Sequence, residues 1–193
     1  MSRPGLTARI ACREDAPVLA DLWSDVVRRG DRAEQVADLE LVIKGAAASP
    51  EQRFVVVELD GRIAGGVFLR LTTVSPLSLE PCVQSIQPRV FDEFRRRGVG
   101  RTLMEAAVAF AEENGVLHVS TAVPATSRDA NRFMARLGLA PVATVRMAPT
   151  AVLRSRITPS APGAPRTTPR ALVTRRRNQR RIRGTGPDQV QLP

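Results

Sequence analysis

The sequence predicts an α/β fold, one sheet flanked by helices, and three stretches carry that prediction. Residues 95–104 (RRRGVGRTLM) run an arginine cluster through two glycines into a helix. Residues 82–91 (CVQSIQPRVF) read as a strand just before it. Residues 54–74 read as a hairpin folded at Asp60 and Gly61, where glycine accepts the positive φ that a type I′ turn demands.

Taken in order, residues 7–11 make a first strand. Asp15 then caps a helix with Pro17 in its first turn, where a missing N–H costs nothing. Leu19, Leu22, Trp23 and Val26 form the buried stripe of that helix, and Gly30 ends it. Asp31 and Glu34 form a capping-box-like start to a second helix, with Val36, Leu39, Ile43 and Ala47 on one face and Ser49-Pro50 as its stop. Residues 54–59 and 62–74 are the hairpin strands, apolar on both faces in the first. Gly65 and Gly66 in the second imply a bulge or the close approach of another group. Residues 75–81, with two prolines, read as a loop.

The strand that ends at Val90 is polar for the middle of a sheet, with Gln84, Ser85, Gln87 and Arg89 among its apolar residues, and Pro88 removes a ladder donor. It must be bulged or unpaired there, as the wall of a cleft would be. The long helix that follows shows Val99, Leu103, Ala106 and Phe110 on one face and closes at residues 112–115. Residues 116–123 form its parallel strand, residues 128–137 a helix ended by Gly138, and residues 140–147 a further strand. From Pro149 onward the composition is too rich in Pro, Gly, Ser and Thr to pack and reads as a linker.

Composition bounds the function. At 193 residues the chain holds one domain and an appendage, here residues 1–150 and a basic Pro/Arg-rich tail over 151–193. Its net charge of +10 is uneven: residues 1–149 are nearly neutral, while the remainder sets ten arginines against Asp188 alone. Lys44 is the only lysine among 29 basic residues, a bias that GC-rich codons produce by themselves. Cys12 and Cys82 give no disulfide framework and no metal spacing, and read as reduced thiols. The first ten residues lack the apolar core of a signal peptide, and no apolar run approaches the length of a membrane span. The expectation is therefore a soluble cytoplasmic protein without metal.

The glycine turn points to an anion. Gly98 and Gly100 let successive N–H groups converge, the helix adds its N-terminal amides and dipole, and Arg95, Arg96, Arg97 and Arg101 supply full charges, as a diphosphate requires. The dinucleotide fingerprint GxGxxG is absent, and so is GxxxxGK[ST].

Here the chain resembles the GNAT superfamily of N-acetyltransferases, whose signature (Arg/Gln)-x-x-Gly-x-(Gly/Ala) is matched by Arg95, Gly98 and Gly100. The resemblance spans roughly residues 7–150 and includes a weaker motif at residues 130–142, where Ala130, Phe133 and Gly138 match, Leu139 stands for an aromatic, Ser127 for an Asn and Met134 for a Tyr. It implies a central mixed, mostly antiparallel sheet with a splayed parallel strand pair. It also implies acetyl-CoA as cosubstrate and an amine acceptor that the residues do not name. Carrier binding would fall to Arg95, Arg96, Arg97, Gly98, Val99, Gly100, Arg101 and Thr102 at the turn, to Pro88, Arg89 and Val90 beside the pantetheine arm, and to Ser127. The first two helices would overhang the acceptor.

The catalytic groups stay unassigned. The chain has no tyrosine, so Met134 leaves the departing thiolate to water or to a hydroxyl such as Thr126 or Ser127. Gln84 and Ala122 occupy positions where relatives carry a base, while Glu80 and His118, the only histidine, are the remaining candidates. Two alternatives stand beside acetyl transfer. One is a CoA-binding module with little or no turnover. The other is a protein directed by its tail, residues 170–184, to nucleic acid without sequence preference or to an anionic surface.

Overall fold

The computed structural model describes residues 5–27, 30–124 and 126–158. The chain divides into one unit that ends at Pro141 and another that begins at Val142. The basic stretch at 170–184 lies outside the described residues.

The first unit is built on a five-stranded sheet in the order β1 (Leu6–Ile10), β2 (Gln52–Leu59), β3 (Arg62–Ser75), β4 (Ser78–Val90) and β5 (His118–Thr121). Neighbours are antiparallel except β4 and β5, which are parallel. Alternation along β2 decides what each face carries. Val55, Val57 and Leu59 face α3 (Val99–Glu113), in a core with Val67, Leu69, Val83, Leu103, Ala107 and Phe110. Phe54 and Val56 face the other way, against Leu19, Trp23, Leu39 and Ile43 of the segment that holds α1 (Ala16–Leu22) and α2 (Arg32–Ala47). This is the mixed, helix-flanked sheet with one parallel pair that the sequence predicts.

The turn between β2 and β3 has φ of 53° at Asp60 and 78° at Gly61, as a type I′ turn requires. Both glycines of β3 answer to close approach. A Cβ on Gly65 would stand 2.5 Å from the Arg89 carbonyl oxygen, and one on Gly66 would stand 2.8 Å from the Trp23 ring. Asp31 caps α2 by accepting from the Glu34 N–H at 2.8 Å.

Several local expectations are corrected. Asp15 makes no side-chain cap on α1: its carboxylate takes the Cys12 N–H at 2.8 Å and both terminal nitrogens of Arg9 instead. α1 stops at Leu22 and not near Gly30, because the chain turns there, with the Val26 and Val27 N–H groups returning to the Trp23 carbonyl; Val26 is consequently exposed. In α2 it is Ala46, not Ala47, that is buried beside Ile43. The loop predicted over 75–81 shrinks to residues 76–77, since Ser75 already pairs with Ser78 and Thr73 with Pro81. Pro81 is tolerated because β5 pairing begins only at Cys82, so its missing N–H breaks no second ladder. Residues 140–147 form no strand: Ala140 and Ala143 favour strands poorly, and Pro141 within the stretch lacks a ladder N–H. In the second unit, Thr150–Ile157 is a helix (α5) and not the linker that composition predicts from Pro149, as Ala151, Leu153, Arg154 and Arg156 are good helix formers; residues 159–193 lie outside the described residues.

Among the described residues both cysteines are free thiols, and no helix is long and apolar enough to cross a membrane.

Candidate functional site

A cleft of about 1700 Å³ opens at the carboxyl ends of β4 and β5. It exists because the two strands part. Their pairing runs from Cys82–His118 to Ser85–Thr121 and ends where the Thr121 hydroxyl donates to the Ser85 carbonyl at 3.1 Å. β4 continues alone on that side to Val90, while Ala122, Val123 and Pro124 form the facing wall.

On its other side β4 is bulged against β3. Phe68 pairs with Ile86 and Gly66 with Arg89, so Val67 faces the two residues Gln87 and Pro88. Gln87 takes φ of 50°, and its carbonyl accepts from Trp23 Nε1 at 3.0 Å. Arg89 reaches the α1 side and pairs with both carboxylate oxygens of Asp25, one at 2.8 Å. That guanidinium holds the Asp25 carboxyl below the usual carboxylate range.

The floor is the start of α3. Gly98 is its N-cap at φ 92°, a left-handed conformation that favours glycine, and Thr102 N–H makes the first turn's bond to the Gly98 carbonyl at 3.1 Å. The N–H groups of Val99, Gly100 and Arg101 precede that bond and have no acceptor within the helix. Gly100 faces Phe133 and Val90, and a Cβ there would lie 3.5 Å from the Phe133 ring.

Among the expected carrier residues, Pro88, Arg89, Val90, Arg95, Arg96, Gly98, Gly100, Arg101 and Ser127 line the cleft. Three do not. Val99 turns its side chain into the core, Thr102 spends its N–H inside the helix, and Arg97 is exposed outside the lining. Arg95 and Arg101 are paired with Asp92 at 2.7 Å and Glu105 at 2.9 Å, whereas Arg96, held at φ 61°, has no ion pair among the described residues.

The reactive candidates separate cleanly. His118 and Glu80 pair with each other at 2.7 Å near the start of β5, at the end of the β4–β5 ladder away from the cleft. Gln84 accepts from Arg70 at 2.9 Å and lies outside the lining. Met134 is buried in the α3-side core. Thr126 and Ser127 do reach the cleft, Ser127 as N-cap of α4 (Arg128–Arg136), accepting from the Ala130 N–H at 3.4 Å. Sequence reasoning passed over Arg128, Arg132 and Arg136, although their spacing of four in a predicted helix signals a single stripe.

Residues 18–139 match the acetyltransferase (GNAT) family. The chain belongs to the GNAT acetyltransferase family. No match was found among curated proteins. Solved structures of similar fold include a transcriptional regulator from Bacillus halodurans C-125, at TM-score 0.64 and 19% identity over 75% of this chain and 99% of that one. An aminoglycoside N-acetyltransferase in complex with CoA superposes at TM-score 0.63 and 15% identity, over 76% of this chain and 95% of that one. The glucosamine-6-phosphate N-acetyltransferase of Arabidopsis thaliana follows at TM-score 0.58 and 15% identity, over 75% and 97% of the two chains. At these identities the likeness establishes the GNAT fold, and the parted β4 and β5 are the part of that fold on which the cleft of this GNAT protein is built.

Proposed function

We propose that this GNAT protein is an acetyl-CoA-dependent N-acetyltransferase acting on an amine. One observation carries the reading: unpaired amides at the start of α3 and a β4 end without its β5 partner meet at the same cleft. The first suits a diphosphate, and the second suits an arm that carries amides of its own. The carrier combines both. The CoA complex of a structural neighbour supports the same assignment.

The bound carrier supplies an acetyl thioester: a C–N bond forms as the C–S bond breaks, the amine gives up a proton and the thiolate takes one. The protein's part is to bind and orient. The N–H groups of Val99, Gly100 and Arg101, with the Arg96 guanidinium, hold the diphosphate. The β4 backbone at Val90 offers a donor and an acceptor to the arm, since the Phe91 N–H pairs with the Ala64 carbonyl and the alternation of the ladder turns the Arg89 backbone toward Gly66, while Pro88 offers a carbonyl alone. Thr126 and Ser127 are the hydroxyls placed to pass a proton to the thiolate, but a hydroxyl is a poor acid at neutral pH. An enzyme of this design forgoes much of the roughly 10² to 10⁴ that a matched general acid gives. Of the carboxylates that line the cleft, Asp21, Asp92 and Glu93 are held by Arg32 at 2.9 Å, Arg95 at 2.7 Å and Arg62 at 2.6 Å, while Asp129 has no ion pair among the described residues.

The test is thiol release from acetyl-CoA by the full chain, over a panel of aminoglycosides, amino-sugar phosphates and peptide amino termini. Turnover above the amine-free rate with one acceptor class supports the reading. Measurable carrier binding with no turnover on any of them contradicts transfer, and absence of binding contradicts the whole assignment.

A further inference from the structure

β4 and β5 part at Ser85 and Thr121, and an arm lying along the free end of β4 stops there, because the ladder resumes. One face of that point is closed: Ser85 is fully buried, and its hydroxyl donates to Met104 Sδ of α3 at 3.8 Å. The amine must reach the thioester from the other face. α1 and α2 cover that face over β2 and β3, against Phe54, Val56 and Phe68, and beyond them Gln84, Ile86 and Ser120 are half-buried. Arg70 stands on the same face, two residues on from Phe68 and directly across from Gln84, which is itself the partner of Ser120. Its guanidinium leans over β4, where Gln84 Oε1 accepts at 2.9 Å, one strand spacing, about 5 Å, from the β4–β5 gap. Neither residue lines the cleft; both lie on the surface by which the amine arrives. The charge there is uncompensated. Among the described residues Arg70 has no ion pair, and Glu80, the one carboxylate on β3, β4 and β5, is held by His118 at 2.7 Å at the far end of the ladder. The Gln84 amide fixes the guanidinium without neutralising it and leaves the rest of its N–H donors for a ligand.

We propose that Arg70 selects the acceptor: the amine carries an anionic group, a carboxylate or a phosphate, which the Arg70 guanidinium grips while the amine meets the thioester. This rests on the acetyl-transfer reading. A planar guanidinium binds either anion two oxygens at a time. Because Gln84 already holds it, less freedom is lost on binding than with a loose arginine. A polycationic acceptor is repelled on the same approach. Arg70 touches the acceptor away from its amine, so its effect falls on KM and not on kcat.

Steady-state acetyl transfer by the full chain, with saturating acetyl-CoA and two pairs of acceptors that differ by one anion, tests this. The pairs are glucosamine 6-phosphate against glucosamine, and a tripeptide amide with glutamate at its second position against the same peptide with glutamine. The wild type should favour the anionic member of one pair by about tenfold or more in kcat/KM, and the pair that shows it distinguishes phosphate from carboxylate. Arg70→Gln should lose that preference through KM, with kcat within about twofold and acetyl-CoA affinity unchanged, which also shows that the variant is folded. Arg70→Lys, which keeps the charge but not the fork, should retain part of it. Arg13→Gln, which removes a guanidinium paired with Glu40 elsewhere, should keep it whole. Turnover confined to aminoglycosides or without an anionic preference in either pair, a preference that survives Arg70→Gln, or one lost equally in Arg13→Gln would each overturn the inference and leave acetyl transfer standing. Acetyl-CoA binding without turnover on these or any amine of the wider panel overturns the transfer reading along with it.

Discussion

Trp23 Nε1 donates to the main-chain carbonyl of Gln87 at 3.0 Å, and this bond ties the turn after α1 to the bulge of β4. The same ring packs edge-on against Phe54 at 5.5 Å, over a Gly66 that has no Cβ to obstruct it. Gln87 is thereby held in a left-handed conformation that a non-glycine residue adopts rarely.

Trp23→Phe keeps an aromatic ring in the core but removes the donor. The expected cost is about 1 kcal/mol in denaturant unfolding, together with weaker acetyl-CoA binding, because the bulge beside Pro88 and Arg89 loses its tether. Lost stability with unchanged carrier affinity would show that the tether serves the core alone.

The two glycines of the turn should respond differently. Gly98→Ala forces a left-handed backbone on alanine, an expected loss of about 1–2 kcal/mol, with its Cβ 3.1 Å from Leu6 Cδ1. Gly100→Ala meets only ordinary contacts with Phe133 and Val90, so its stability should stay within about 0.5 kcal/mol of wild type. Urea midpoints of the two variants decide the matter.

Asp15 should give the protein an acid limb. Burial by itself would raise its carboxyl, but hydrogen bonds from the Arg9 guanidinium and from Cys12 outweigh that and lower it. A depressed carboxyl contributes stability that is full above the unfolded value, about 3.9, and is lost as pH falls through the lower folded value. Asp15→Asn should therefore be about 2–3 kcal/mol less stable at neutral pH and show a flatter decline between pH 5 and 2. Parallel urea curves for the two proteins across that range check it.

The sheet was legible in the sequence wherever local chemistry decided the outcome. Asp60-Gly61 dictated its turn, Asp31 its cap, and Pro88 the break in the β4 ladder. The site was legible as a turn but not as a cleft. Gly98 and Gly100 marked the floor, yet the pairing of Arg95 with Asp92, Arg101 with Glu105 and Arg89 with Asp25 depends on side-chain directions that spacing alone does not settle. α1 ended early because Trp23 bonds to a strand 64 residues away, a tertiary contact that overrides local helix preference. The strand expected over 140–147 failed because alternation proposes a strand without registering that Ala140, Pro141 and Ala143 favour one poorly.

The central claim is that backbone amides at the start of α3 hold the diphosphate of acetyl-CoA. Calorimetric titration of acetyl-CoA into the wild-type chain and into Gly100→Asp tests it most directly, because that change sets a carboxylate where a phosphate should lie. The account predicts saturable one-to-one binding by the wild type and none by the variant, with both equally folded by circular dichroism. Absence of heat in the wild type, or equal affinity in the variant, would contradict it.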